Sequence, residues 1–205
     1  MPRFCMTTVV KDRLQAAFKG TTLLRSRDLV AHGISRVHLR EAVLAGLLER
    51  AGRGVYRPSG ADITEHHTLA EIGKRIPHGI VCLLSALSFH RLTSQSPHEV
   101  WLAVGHKTWR PRTDGVGLRI IRLSGPALRE GIEIHPMEGV PVQIYAPAKT
   151  VADCFKFRHK LGLDVALEAL RETWRARRTT MKDLEHYARV DRVAKVMRPY
   201  LESLT

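Results

Sequence analysis

Arg53 stands between Gly52 and Gly54, with Arg50 and Arg57 a few residues to either side. Glycines let a chain turn sharply at a hairpin tip. An arginine held there presents a planar, five-donor cation suited to a phosphate backbone or a minor groove. A second basic set precedes it: Arg36 and Arg40, interspersed with Ser35, His38 and Glu41. On a helix lying in a major groove, arginine reads guanine through two parallel donors, while histidine and glutamate are less decisive readers. The chemistry these eight positions imply is recognition of duplex DNA. The alternative is an ordinary solvated polar surface.

The elements that must hold them follow from pattern. Lys11 to Phe18 reads as a short helix with Leu14, Ala17 and Phe18 on one face, ended by Gly20. A second helix is expected from about Arg25 to His32, with Gly33 as the turn. A third is expected from Arg36 to Ala45, capped by Ser35 and closed by Gly46. At 100° per residue, Leu39, Val43 and Leu47 are expected to face the core. His38, Glu41 and Ala45 then lie opposite with Val37 beside them, and Arg36 and Arg40 flank the core face. Two β-prone runs around residues 51–54 predict a hairpin. Three helices and a hairpin in this order predict a winged helix-turn-helix over residues 1–60.

Pro58 to Asp62 is rich in breakers and marks the expected boundary of a second domain, 61–205. That domain is expected to be mixed α/β. Helices are predicted at His66–Arg75 and Leu83–Leu92, strands at Glu99–Val104 and Leu118–Leu123. A hairpin, Ile132–His135 with Val140–Tyr145, is predicted across Glu138-Gly139. From Pro147 onward the pattern is a helical tail, with blocks at Leu163–Trp174, Met181–Ala188 and Arg192–Leu201. The fold class expected is therefore α+β. Trp101, Trp109 and Trp174 are expected in cores or interfaces rather than as base-stacking platforms.

Charge favours the nucleic-acid reading. The 205 residues carry 33 Lys and Arg against 20 Asp and Glu, a net of +13. Residues 1–60 alone hold eleven basic and four acidic side chains, so the excess is densest at the front. Cations near phosphates release condensed counterions, which favours a polyanionic partner. There is no apolar run long enough for a membrane span and no secretory signal, and Cys5, Cys82 and Cys154 are odd in number and far apart. A reducing cytoplasm and no membrane partner are expected.

Catalysis and cofactors find no support. Adjacent His66 and His67 point to different helix faces, and Cys82, His90, His98 and His106 are too loosely spaced for zinc. A Mg²⁺ nuclease needs clustered carboxylates and often an (E/Q)-x-K strand. Glu133-Ile134-His135 and Gln143-Ile144-Tyr145 lack the lysine, and no P-loop is present. The protein is expected to be no enzyme and to hold neither metal nor cofactor.

The run TTLLRSRDLVAHGISRVHLREAVLAGLLERAGRGVYR (21–57) resembles the N-terminal domain of AbiEi-type antitoxins, transcriptional regulators of abortive-infection toxin–antitoxin systems. SALSFHRLT (85–93), PHEVWLAV (97–104) and APAKTVADCFKFRHKLGLDVALEAL (146–170) are similar to that family's C-terminal domain. The resemblance implies an N-terminal domain that binds operator DNA and represses its own operon. It also implies a C-terminal domain that neutralises a nucleotidyltransferase-like toxin, with direct contact between the two proteins left open. Lys149, Thr150 and Asp153 fall in its (A/P)-x-(K/R)-T-v-x-D segment, as an antitoxin surface or as a structural helix start. Lys149 stands where the family often has Arg, so a bidentate contact there would be looser. The alternative is a stand-alone regulator whose second domain senses a ligand or a protein.

Overall fold

The computed structural model describes residues 8–108 and 116–204, so Cys5 and Trp109 lie outside the described residues. Two compact units emerge. The first comprises residues 8–77, Val116 and His135–Val142, and the second the rest of the described chain.

In the first unit, α1 (Thr8–Ala17) buries Val10, Leu14 and Ala17 along one face. β1 (Leu24–Arg25) follows, a strand too short for any periodicity to reveal. α2 (Ser26–Ala31) begins where the Asp28 carboxylate accepts the Arg25 N–H at 3.1 Å. α3 (Arg36–Leu44) begins where Ser35 Oγ accepts the His38 N–H at 3.2 Å. Both helices close alike. Gly33 and Ile34 donate back to Val30 and Leu29, and Gly46 and Leu47 to Val43 and Ala42. This closure needs a left-handed residue, and Gly33 and Gly46 sit at φ +74° and +69°.

β2 (Leu48–Gly52) and β3 (Val55–Pro58) form the hairpin, with an irregularity between Arg50 and Gly52 that turns its tip. β1 pairs with the other edge of β3, giving the order β1-β3-β2. Leu29, Ile34, Leu39, Ala42 and Leu48 form the core beneath. The result is a winged helix-turn-helix, as the pattern predicted. α4 (His67–Arg75) packs on β1 and β3.

The second unit opens with β4 (Ile80–Val81) and α5 (Leu83–Phe89), then β5 (Val100–Gly105) and β6 (Leu118–Leu123). α6 (Pro126–Arg129) leads to the hairpin of β7 (Ile132–Met137) and β8 (Val140–Tyr145), whose outer part, His135–Val142, belongs to the first unit. The five-stranded sheet runs β6-β5-β4-β8-β7, with β4 antiparallel to β5 and parallel to β8. Helices α7 (Pro147–Lys156), α8 (Arg158–Leu161), α9 (Leu163–Arg175), α10 (Met181–Val190) and α11 (Ala194–Glu202) complete it. Phe155, Val151, Ala166, Leu170, Leu184 and Met197 knit the helices into one apolar core. The α+β expectation, mixed α/β second domain and helical tail included, holds. The two-residue β4 and one-turn α6 and α8 were not foreseen, because segments so short carry no period. No helix among the described residues is long and apolar enough to cross a membrane.

Candidate nucleic-acid interface

The third helix presents a different face from the one projected. Leu39 and Ala42 are buried and Val43 half-buried, while Leu47 is 39% exposed and lies outside the core cluster. The core therefore grips the Leu39–Ala42 side, and the outward face is Arg36, Val37, Arg40 and Leu44. Val37 and Leu44 are 65% and 70% exposed, the two most exposed large apolar residues of this helix. His38 and Glu41, expected at the centre of the outward face, are half-buried, and His38 Nδ1 is enclosed with no hydrogen-bond partner among the described residues. Leu39 and Val43 face the core as projected, but the projection is rotated because it gave Leu47, beyond the helix end, the weight that belongs to Ala42.

The other expected residues separate by how they are engaged. Ser35 is spent as the α3 cap. Arg53 is exposed at the wing tip, and Arg36, Arg40 and Arg53 pair with no carboxylate among the described residues. Arg50 is exposed, its guanidinium 5.9 Å from the centre of the Tyr56 ring. Arg57 is different. Its Nε and Nη2 donate to Glu49 Oε2 at 3.0 and 2.7 Å, and its Nη1 lies 3.5 Å from His67 Nε2. It is a brace across the wing rather than a free cation.

Sequence reasoning missed what stands behind the wing. Glu138, its side chain 2% exposed, accepts from Thr22 Oγ1 and His67 Nδ1 at 2.9 Å each through Oε2. Through Oε1 it accepts from Thr64 N and Oγ1 at 3.2 and 2.9 Å. Burial pushes this carboxyl up, but the hydrogen bonds from His67, Thr64 and Thr22 outweigh it and hold the group below its usual value. Asp28 is likewise held low: burial opposes, while Lys74 at 2.9 Å and the Arg25 N–H prevail. One signal was available. A two-residue hairpin turn favours Asn, Asp or Gly at its first position, and Glu138 sits there at φ +50°.

In the second unit, Lys149 is wholly buried. Its Nζ lies 2.6 Å from Asp153 Oδ1 and 3.1 Å from Asp191 Oδ2, and 4.5 Å from the centre of the Tyr145 ring. Lys156 reaches Asp191 from the rim at 3.2 Å. Burial pulls the Lys149 ammonium down, but the two carboxylates hold it above its usual value. Burial pushes Asp153 up to about 8, against the pull of Lys149. Thr150 Oγ1 donates to Tyr145 O at 3.1 Å, so neither Thr150 nor Asp153 serves as a cap for free N–H groups at the start of α7. Burial also raises the Cys82 and Cys154 thiols. Trp101 is buried beneath the Arg119 guanidinium, and Trp174 packs half-buried on the core.

A helix, a strand, a two-helix motif and a basic-tipped hairpin on one core define the winged helix-turn-helix class. Residues 12–59 match the family model described as "Transcriptional regulator, AbiEi antitoxin", so this segment is similar to the regulator/antitoxin domain of that family. The fold is similar to that in "Crystal structure of RV2827C protein from Mycobacterium tuberculosis", with a TM-score of 0.58 at 13% identity over 89% of this chain and 72% of that one. At that identity the fold alone is shared. No curated protein matches the sequence.

Proposed function

We propose that this protein is a sequence-specific repressor that binds double-stranded operator DNA through its winged helix and acts as the antitoxin of a toxin–antitoxin operon. The observation that carries this reading is the set of exposed arginines on one small core: Arg36 and Arg40 on α3 and Arg53 at the wing tip, without carboxylate partners among the described residues. α3 enters the major groove with Arg36, Val37 and Arg40 toward base edges, and Arg53 meets backbone or minor groove. Ser35, His38, Glu41, Arg50 and Arg57 line or support that footprint. Recognition is assigned to residues 1–60 and neutralisation of a nucleotidyltransferase-like toxin to 61–205.

Fluorescence anisotropy with the upstream promoter duplex tests the DNA arm. Affinity is expected to fall steeply with salt. Arg53→Ala is expected to weaken operator and unrelated duplexes alike and to lower the salt slope by about one. No binding at low salt would sink the reading. For the antitoxin arm, co-expression with an adjacent nucleotidyltransferase-like gene is expected to restore growth. If the toxin kills equally with and without this chain, the protein is instead a stand-alone regulator.

A further inference from the structure

α4 touches three things at once within the first unit. On one side Gly73 lies against Val140 and Val142, so closely that a Cβ there would come within 2.9 Å of Val142 Cγ2. Lys74 reaches Asp28 at the start of α2, and the Glu71–Arg75 pair (2.9 Å) fills the space beside Gly52 of the wing. At its first turn His67 joins Glu138 to Arg57, and Arg57 joins Glu49 on the facing strand. The hairpin turn is itself pinned: Thr22 N and Thr21 Oγ1 each donate to Glu138 O at 3.1 Å. A Cβ on Gly139 would run into Gly20 O and Thr21.

Resting on the DNA-binding reading, we propose that Glu138 is a positioning residue for the wing. It fixes the ring of His67, which sets Arg57 and through it the pose of β2 and β3 on the duplex. The proton inventory makes this specific. A guanidinium only donates, so His67 Nε2 must accept from Arg57, and Nδ1 carries the proton given to Glu138. Each Glu138 oxygen faces one donor, Thr64 N on Oε1, which can only donate, and His67 Nδ1 on Oε2, which donates as long as it keeps its proton. A glutamine amide at 138 therefore sets its NH₂ against one of them whichever way it flips. The relief is for His67 to move its proton to Nε2, which turns a donor toward Arg57 and breaks the brace.

The test uses the full chain with Glu138→Gln and His67→Asn. Asparagine retains a donor near the Nδ1 position but does not reach Arg57. Long-range ¹H–¹⁵N NMR is expected to find the Nδ1–H tautomer of His67 in the parent and its loss in Glu138→Gln. In both variants amide exchange across 48–58 is expected to rise about tenfold while the second unit is unchanged. Operator affinity is expected to fall about tenfold, and in an Arg53→Ala background the further loss should largely vanish, because the wing no longer contributes. Unchanged exchange across the wing in both variants, or losses fully additive with Arg53→Ala, overturns the proposal. If the parent binds no operator, the DNA reading fails on its own, and exchange in the two variants still decides whether Glu138 sets the wing.

Discussion

Lys149→Met is expected to destabilise the second unit by about 3–5 kcal/mol, the cost of removing one partner from a buried ion pair. Methionine matches the stem of the lysine but leaves Asp153 and Asp191 facing each other without the ammonium that lies 2.6 and 3.1 Å from them. Only Lys156, at the rim, still reaches Asp191. Urea unfolding followed by tryptophan fluorescence reports on this unit through Trp101 and Trp174. The deficit should depend on pH in one direction. Folding raises the Asp153 carboxyl from 3.8 to about 8 in the parent, so the stability it contributes as the protonated acid is full below its unfolded value and is lost as pH rises through the folded one. Without Lys149 the carboxyl binds its proton more tightly still. The gap between variant and parent should therefore narrow as pH falls toward about 8, where the parent's Asp153 takes up its own proton, and stay level below that. A variant as stable as the parent at pH 8 would show that the cluster is not the keystone of this core.

The second large effect concerns recognition. Arg36→Ala with Arg40→Ala is expected to weaken operator binding about 100-fold, since each bidentate contact to guanine contributes about 1–3 kcal/mol of discrimination. Both side chains are exposed, so circular dichroism and unfolding should remain those of the parent. Unrelated duplexes should lose much less, which separates base reading from general attraction to phosphate. Val37, 65% exposed between the two arginines in sequence, offers a second contact, an apolar surface for a thymine methyl. Replacing single operator thymines by deoxyuridine should reproduce the effect of Val37→Ala at one position and be non-additive with it. Equal losses on operator and random duplexes would mean that α3 serves only as a cationic ridge.

How much of this was visible beforehand depends on the range of the interactions involved. The α3 cap and the closing Gly33 and Gly46 were legible because capping and helix closure involve neighbours in sequence. The hairpin across Glu138-Gly139 and Pro147 at the start of α7 were legible for the same reason. The face of α3 was not: small Ala42 carries little hydrophobic signal, yet its lack of bulk is what lets the helix sit down on the core. Arg57 looked like another free cation because its partners, Glu49 and His67, are eight and ten residues away. The buried ionic roles of Glu138 and Asp191 escaped. Their partners lie 71 residues from one and 42 from the other, and a carboxylate in a sequence does not announce whether water or a buried donor will surround it.

The seating of Glu138 against Thr22, Thr64 and His67 has a consequence for synthesis. A growing chain has made every residue of the three helices and the wing long before it makes their buttress, and the interval from His67 to Glu138 is 71 residues. At roughly 5–20 residues per second the ribosome needs about 4–14 s to cover it. During that time the reading head exists with its wing unbraced. A product terminated before residue 138 would carry Arg36, Arg40 and Arg53 and still lack the carboxylate that braces the wing, so the braced wing waits for about two-thirds of the chain.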